Sequence, residues 1–562
     1  MNIKKYLSFK TLIFSIIILV ALFLRFYQLG NNPPSLTWDE AAWGYNAYSL
    51  GIDGKDEFGR FLPIDYLESF GDFKPPMYAY LDIIPIKAFG LNEFAVRFPS
   101  ALFGILTVIL TYFLVKRIFY KSKNKEFIAL VSSLFLAISP WHIMLSRAAF
   151  EANVASFFIA LGIWGFLAGV QDFSTGSGHG KKWYLVISAI SFVLSMYTFN
   201  TARIVSPLLV ISLSLVFRKE LLKEKKNTLI AVIIGFIIFL PIFQFLLSPQ
   251  AGLRFKEVNI FSDPDIVVTA NQEIENDGNA IWSKIMHNRR ILYALSYANH
   301  YLDNLNPLFL FIKGDGNPKF STQAVGQMYI VDIVLVVSGI LFLIRKRQSN
   351  WWIIPLTIIL GIIPAGVARE TPHALRIETT LPMFQILSAY GFITIYSLLN
   401  DFKLKIISLK WRYVFFALVF AFLTFNFLYF YHDYVTHYAR IYSGEWQYGY
   451  KESINYVKDV EKDYDYIQVT SSLGRPYIYY LFYTNKDPKL FREDAKVSRD
   501  VFGFVKVSGF GKYIFPEKYE YALNKTRKVL YINTPYKLPE NIKIKKTFYL
   551  LNGQPVLVAY TL

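Results

Sequence analysis

Asp39 and Glu40 are adjacent carboxylates in the run NNPPSLTWDEAAWGYNAYSL, set among Trp38, Trp43 and Tyr45, and the same stretch continues to Asp72-Phe73-Lys74-Pro75-Pro76. A carboxylate can take a proton from an attacking nucleophile, and a lysine can hold an anion as a point charge. Set among aromatic rings just beyond an apolar run, they suit a sugar-bearing lipid phosphate. Three shorter segments carry the remaining loaded residues: SPWHIMLSRAAFEAN with Arg147 and Glu151, YTFNTARIVSP with Arg203, and VARETPHALRIE with His373 and Arg376.

These residues need elements to hold them, and the apolar patterning supplies those. Stretches long enough to cross about 30 Å of hydrocarbon at roughly 1.5 Å per residue run near 11–29, 96–115, 127–145, 152–170, 183–199, 203–217, 228–247, 328–344, 352–368, 377–399 and 411–431. The expectation is a polytopic α-helical membrane protein with about eleven transmembrane helices. Lys and Arg crowd alternate loops: Lys4, Lys5 and Lys10; Lys116, Arg117, Lys121, Lys123 and Lys125; Lys181 and Lys182; Arg218, Lys219, Lys223, Lys225 and Lys226; Arg345, Lys346 and Arg347; Lys403, Lys405, Lys410 and Arg412. Against these 22 positives stand five acids, Glu126, Asp172, Glu220, Glu224 and Asp401, so +17 of the formal +18 falls on one side. By the positive-inside rule that side is cytoplasmic, and every candidate cluster is then extracytoplasmic. The basic balance is topology, and no nucleic-acid partner is expected.

Hydrophobic residues make up 54% of the 562, too many and too evenly segmented for a soluble enzyme. The N-terminal run TLIFSIIILVALFL has a signal-peptide shape but continues to Leu29 with no small-residue cleavage site, and reads as an uncleaved first span. With no cysteine in the chain, thiolate metal sites, disulfides and Cys nucleophiles are excluded. The expected division is a transmembrane catalytic domain, 1–431, with exterior loops 30–95 and 248–327, then an extracytoplasmic soluble domain, 432–562. Aromatic stretches of the first loop are expected to lie as helices on the membrane surface. In the tail, KESINYVKDVEK reads as a helix and DYIQVTSS, KVLYIN and QPVLVAYTL as strands, giving a small α/β domain.

The motif series Asp39-Glu40, DFKPP, SRAAFE, YTFNTAR and PHALR resembles that of the GT-C glycosyltransferases over roughly residues 1–430. It is most similar to the protein O-mannosyltransferases and the lipid A aminoarabinose transferases, the phospholipid-carrier-dependent group. The resemblance implies a GT-C-like fold and a polyprenyl-phosphate-sugar donor in the cell membrane. The topology independently favours a lipid-borne donor, since nucleotide sugars are cytoplasmic and no G-x-G-x-x-G or P-loop stands in the right context. In the aminoarabinose transferases the segment matching DFKPP reads Glu-Lys-Pro and contacts the donor region, and the resemblance implies a metal contact for its acid. This chain departs from that pattern by reading Asp-Phe-Lys, and metal dependence stays open. Glu151 stands where relatives commonly have aspartate.

A lipid phosphate is already a stable leaving anion, so one base suffices where a glycosidase needs two carboxylates. Asp39 is expected to be the general base, with Glu40 as the alternative, and transfer to invert the anomeric centre. Lys74, Arg203, His373 and Arg376 are expected to hold the donor phosphate. Asp72, Arg147 and Glu151 are expected to support them, Glu151 by orienting Arg147 or by favouring a helix N-terminus. Arg203 and Arg376 lie within a few residues of a span, where snorkelling arginines are ordinary. Glu445-Trp446-Gln447-Tyr448-Gly449 resembles the WWDYG acceptor motif of the oligosaccharyltransferases without its central acid, and reads as packing. Gly314-Asp315-Gly316-Asn317-Pro318 lacks further acidic ligands and reads as a turn rather than a calcium loop. The rival classes are a lipid-linked-sugar flippase or transporter and a non-catalytic polysaccharide-assembly component. Transporters place ionisable residues or broken helices mid-span, and these spans carry almost none. The acceptor, whether protein, lipid or cell-envelope glycan, is not legible.

Overall fold

The computed structural model describes residues 9–174, 183–252, 259–401, 410–499, 505–516, 527–536 and 538–562. Lys4, Lys5, Lys181, Lys182, Lys403 and Lys405 of the charge pattern lie outside them. Each expected apolar stretch contains a helix. Among the described residues five helices are long and apolar enough to cross a membrane: α1 (Phe9–Phe26), α4 (Glu93–Ile118), Glu151–Gln171 within α7 (Glu151–Ser174), Lys225–Leu246, and the stretch Tyr413–Tyr442. A sixth arises if α5 (Lys125–Ile138) and α6 (Pro140–Ser146), bent by 58°, form one span. Shorter apolar helices cover Tyr184–Thr198, Ala202–Val216, Ile353–Val367 and Met383–Leu399. Phe236 on Lys225–Leu246 and Phe425 on Tyr413–Tyr442 are 57% and 67% exposed, apolar surface that a bilayer covers and water would penalise.

By compactness the chain divides into two units: Met1–Arg25, Phe103–Leu145 and Glu151–Phe430; and Phe26–Leu102, Ser146–Phe150 and Tyr431–Leu562. The second unit's tail segment begins at Tyr431, and residues 30–95 belong to the same unit. Long-range ties explain this. Arg492 pairs with Asp53, Arg499 with Glu68, and Lys451 with Glu93 at 2.7 Å. The Tyr479 hydroxyl donates to Leu36 O at 3.1 Å, and that of Tyr45 to Lys486 O at 3.0 Å.

In the second unit α2 (Trp38–Asp53) is followed by a hairpin of β1 (Leu67–Ser69) and β2 (Asp72–Lys74), then α3 (Met77–Phe89). The surface-helix expectation fails for α2, whose residues 40–47 are all enclosed by protein. Its sequence is rich in small and aromatic residues around the whole circumference, the pattern of a buried helix. It packs on the tail helix Pro476–Tyr483, so closely that a Cβ on Gly44 would stand 2.5 Å from the Phe482 ring.

The tail carries a seven-stranded sheet in the order β4-β5-β6-β3-β7-β9-β8. The strands are β3 (Tyr466–Val469), β4 (Lys496–Arg499), β5 (Val505–Phe510), β6 (Tyr513–Ile514), β7 (Val529–Asn533), β8 (Lys543–Tyr549) and β9 (Pro555–Thr561). β3 runs parallel to β6 and β7, and the other neighbours are antiparallel. The expected helix appears as Tyr450–Val460. Trp446 is fully buried, its indole N–H donating to the Tyr438 hydroxyl at 2.8 Å, while the preceding Glu445 is exposed.

Candidate active site

The two adjacent carboxylates have different surroundings, set by local helix chemistry. Thr37 is the N-cap of α2: the Glu40 N–H donates to its hydroxyl at 3.2 Å and the Thr37 N–H donates back to Glu40 Oε2 at 2.9 Å. This reciprocal capping box satisfies two orphan donors of the first turn. It also turns Glu40 inward, where Arg97 Nε donates to Oε1 at 2.9 Å and the Ala149 N–H to the same oxygen at 3.0 Å. Glu40 and Arg97 are 1% and 0% exposed. Arg97 further donates to the carbonyls of Leu29, Pro33 and Ser35, pinning the chain that leads into α2. Both oxygens of Glu40 are therefore engaged in holding the fold.

Asp39, one residue earlier, points the other way and its side chain is 50% exposed. It stands in the first turn of α2, the positive end of the helix dipole, and Lys74 Nζ donates to its Oδ1. The hairpin delivers that lysine. Phe70 and Gly71, at φ +63° and +80°, make the two-residue turn with positive φ at both positions that matches strand twist. Strand alternation then puts Asp72 and Lys74 on one face and Phe73 on the other, where Tyr66 packs edge-on at 5.1 Å. Pro75 and Pro76 end the strand, and α3 starts at Met77. Lys74 is 7% exposed, its ammonium 5.2 Å from the Trp43 ring centroid and 5.3 Å from that of Phe70.

Further buried acids surround this corner. Burial pushes the Glu57 carboxyl well above its ordinary range, Asp56 adding to the shift and Lys74 opposing it. Burial and the neighbouring Glu40 charge do the same to Asp82, whose two oxygens have no hydrogen-bond partner. Arg147 is an anchor: its guanidinium donates to Tyr27 O at 2.8 Å, Asn32 O at 2.9 Å and the Tyr434 hydroxyl at 3.1 Å. Sequence reasoning missed Arg97, Asp82 and Glu57. Asp82 was detectable as a lone acid in the apolar run MYAYLDIIPI.

The other expected residues belong to the first unit. Glu151 opens α7 in its first turn. Arg203 donates to Met196 O at 3.3 Å and lies over the Phe245 ring at 4.9 Å. Arg376 donates to Glu370 O at 2.8 Å. The Gly314–Pro318 turn buries Asp315, which accepts from the Asn317 N–H at 2.8 Å and the Ala374 N–H at 2.6 Å and so holds the PHALR segment. Burial raises its carboxyl to about 6. A cationic role for His373 does not fit: burial, aided by Arg376, pushes its imidazole down to about 3. Its Nε2 lies 4.0 Å from Glu370, an ion-pair geometry only for a protonated ring. Desolvation decides against that pair, because Glu370 is 79% exposed and its charge is screened by solvent.

The sign of this shift gives a testable pH dependence. A histidine depressed below its ordinary 6.5 contributes stability above that value and loses it as pH falls toward 3, at about 1.4 kcal/mol per pH unit. Between pH 7.5 and 5 the wild type is expected to lose roughly 2 kcal/mol from this group. His373→Gln should show a shallower acid-side fall of Tm in detergent. Identical pH profiles for the two proteins would contradict a neutral buried imidazole.

Among the described residues no group of three or more His, Asp or Glu side chains is arranged to hold a metal ion.

Residues 15–253 match the family model described as dolichyl-phosphate-mannose-protein mannosyltransferase. An "Uncharacterized protein" of Aquifex aeolicus (strain VF5) is 32% identical over 216 residues, 38% of this chain and 40% of that protein, so the chain matches well under half of that relative. Among solved structures, ArnT from Cupriavidus metallidurans bound to undecaprenyl phosphate has TM-score 0.52 and 12% identity, covering 97% of both chains. The apo form of ArnT has TM-score 0.51 and covers 98% of this chain and 97% of its own. The Archaeoglobus fulgidus oligosaccharyltransferase tethered with an acceptor peptide has TM-score 0.51 and 14% identity, covering 86% of this chain and 64% of its own. The chain is a multi-pass membrane protein with the GT-C fold, resembling the O-mannosyltransferases and aminoarabinose transferases.

Proposed function

We propose that this protein moves a sugar from a polyprenyl-phosphate-linked donor to an acceptor on the extracytoplasmic face, with inversion, and that Asp39 is the general base. The observation that carries the reading is the division of labour between adjacent carboxylates: Glu40 is locked by Arg97 and the capping box, while Asp39 is half-exposed beside Lys74. The mannosyltransferase family match and a fold shared with a protein solved with undecaprenyl phosphate support the donor class.

In this mechanism the acceptor nucleophile attacks the anomeric carbon, its proton passes to Asp39, and the bond from that carbon to the phosphate oxygen breaks. The electron pair leaves on the lipid phosphate. Protonation of Asp39 also removes the counter-charge of Lys74. The ammonium then faces the departing phosphate uncompensated as negative charge builds there, which is electrostatic stabilisation timed to the transition state. Asp72 and Arg147 support the hairpin and the chain leading into α2. Arg203 and Arg376 remain proposed contacts to the donor phosphate, and His373 is proposed as a neutral hydrogen-bonding group there.

Orientation rests on the charge bias and is separately testable. Reporters at Lys123, Arg218 and Arg347 are expected in the cytoplasm, and reporters at Asn276 and the C-terminus outside. A cytoplasmic C-terminus would remove the one-sided placement of the candidate residues. Glycan analysis of cells lacking the protein tests the reading as a whole, since loss of a specific sugar linkage names donor and acceptor together, and an unchanged envelope and glycoprotein profile counts against it.

A further inference from the structure

A short segment of the tail reaches the neighbourhood of Asp39. After β3 the chain turns through Ser471-Ser472-Leu473-Gly474-Arg475 and enters the helix Pro476–Tyr483. Gly474 adopts φ +121°, and a Cβ there would lie 2.8 Å from Cε3 of Trp38, the residue before Asp39. Only glycine allows both the backbone conformation and the approach. The next residue precedes a proline, which holds it out of the helical region (φ −115°, ψ 74°) and directs its side chain before the helix begins.

That side chain is Arg475. Its Nη1 donates to Phe70 O at 3.0 Å, at the tip of the hairpin that carries Lys74. Its guanidinium carbon stands 4.4 Å from the Phe70 ring centroid, and Lys74 Nζ stands 5.3 Å from the same centroid. Two cations thus share one aromatic ring, but they differ in availability. Lys74 is buried and committed to Asp39, whereas Arg475 is exposed and spends one nitrogen on a carbonyl. The neighbouring Glu68 is compensated by Arg499. The Lys74–Asp39 pair is neutral as a unit, so before the reaction it offers an anionic donor little attraction. Arg475, which has no acidic partner among the described residues, supplies the uncompensated charge, on a planar fork suited to phosphate oxygens.

We infer that Arg475 of the tail is a binding residue for the phosphate of the lipid-linked donor, so that the tail completes the donor side of the site rather than only selecting the acceptor. This rests on the donor class proposed above. Donor phosphate is favoured over an anionic acceptor because the leaving phosphate must reach Lys74, whose ring partner Phe70 is also the ring under Arg475.

The test uses the full chain in nanodiscs of neutral lipid, with undecaprenyl phosphate and undecaprenol as paired probes. Arg475→Ala is expected to weaken binding of undecaprenyl phosphate by roughly 10- to 100-fold, the effect of losing a charged hydrogen-bond partner. Binding of the uncharged undecaprenol and the Tm should stay as in wild type. Arg475→Lys should recover part of the loss, and the salt dependence of phosphate binding should be shallower in Arg475→Ala. A merely structural arginine would lower Tm and weaken both probes alike, which overturns the inference. So does unchanged phosphate binding in Arg475→Ala, or a change confined to the KM of the acceptor. If the wild type itself fails to bind undecaprenyl phosphate, the donor class falls along with this inference. Wild-type binding that Arg475→Ala leaves intact refutes this inference alone.

Discussion

Asp39→Asn is expected to leave the protein folded and able to bind polyprenyl-phosphate sugar while losing about 10²-fold or more of turnover. Asparagine keeps the size and hydrogen-bonding capacity of the side chain but cannot accept the proton. The Asp39 side chain is half-exposed and the cap of α2 is made by Thr37 and Glu40, so loss of the Lys74 ion pair is expected to lower Tm without unfolding the protein. Lys74 loses its counter-ion in this variant, so ground-state affinity for an anionic donor should hold or rise while kcat falls. That split separates a base from a binding group. Near-normal kcat in Asp39→Asn would leave the mechanism without its proton acceptor.

Glu40→Gln should behave differently although it alters the next residue. It leaves the Arg97 guanidinium buried beside a neutral amide, and breaking a buried ion pair by removing one partner costs about 3–5 kcal/mol. Four segments converge on this pair: the N-cap at Thr37, the Ala149 backbone, the Leu29–Ser35 chain and α4. The expected result is therefore a large fall in Tm and in the yield of folded protein, with activity lost in proportion to the folded fraction. Arg97→Lys should rescue little, because one ammonium cannot serve the carboxylate and three carbonyls that the fork now serves. A Glu40→Gln protein with wild-type Tm and abolished turnover would reverse the roles assigned to the pair.

Much of this was legible from residue pattern. Hydropathy located every long apolar helix, and the tail strands at Tyr466–Val469, Val529–Asn533 and Pro555–Thr561 fall where alternation put them. The pair Asp39-Glu40 was visible, and so was the signal separating its members: Thr37-x-x-Glu40 is a capping-box spacing, which binds its glutamate to the backbone. Its ion-pair partner was not visible, because Arg97 lies 57 residues away and nothing local marks the contact. The hairpin at Phe70-Gly71 was missed because an aromatic in the left-handed region is an unusual turn residue, held here by edge-on packing against Tyr477. The grouping of the first loop with the tail was also hidden, since it rests on pairings more than 350 residues apart. His373 shows the limit of residue type: the sequence offers an imidazole, and burial withholds its charge.

The central claim, that sugar leaves a lipid phosphate and joins an acceptor, is tested most directly by following both halves of a labelled donor. The purified protein is incubated with polyprenyl-phosphate sugar labelled in sugar and lipid, together with acceptor fractions from the native envelope. The expected result is stoichiometric release of polyprenyl phosphate with the sugar attached to acceptor in the opposite anomeric configuration, and loss of both in Asp39→Asn. Movement of the intact lipid-linked sugar across a bilayer without cleavage of the anomeric bond would contradict it.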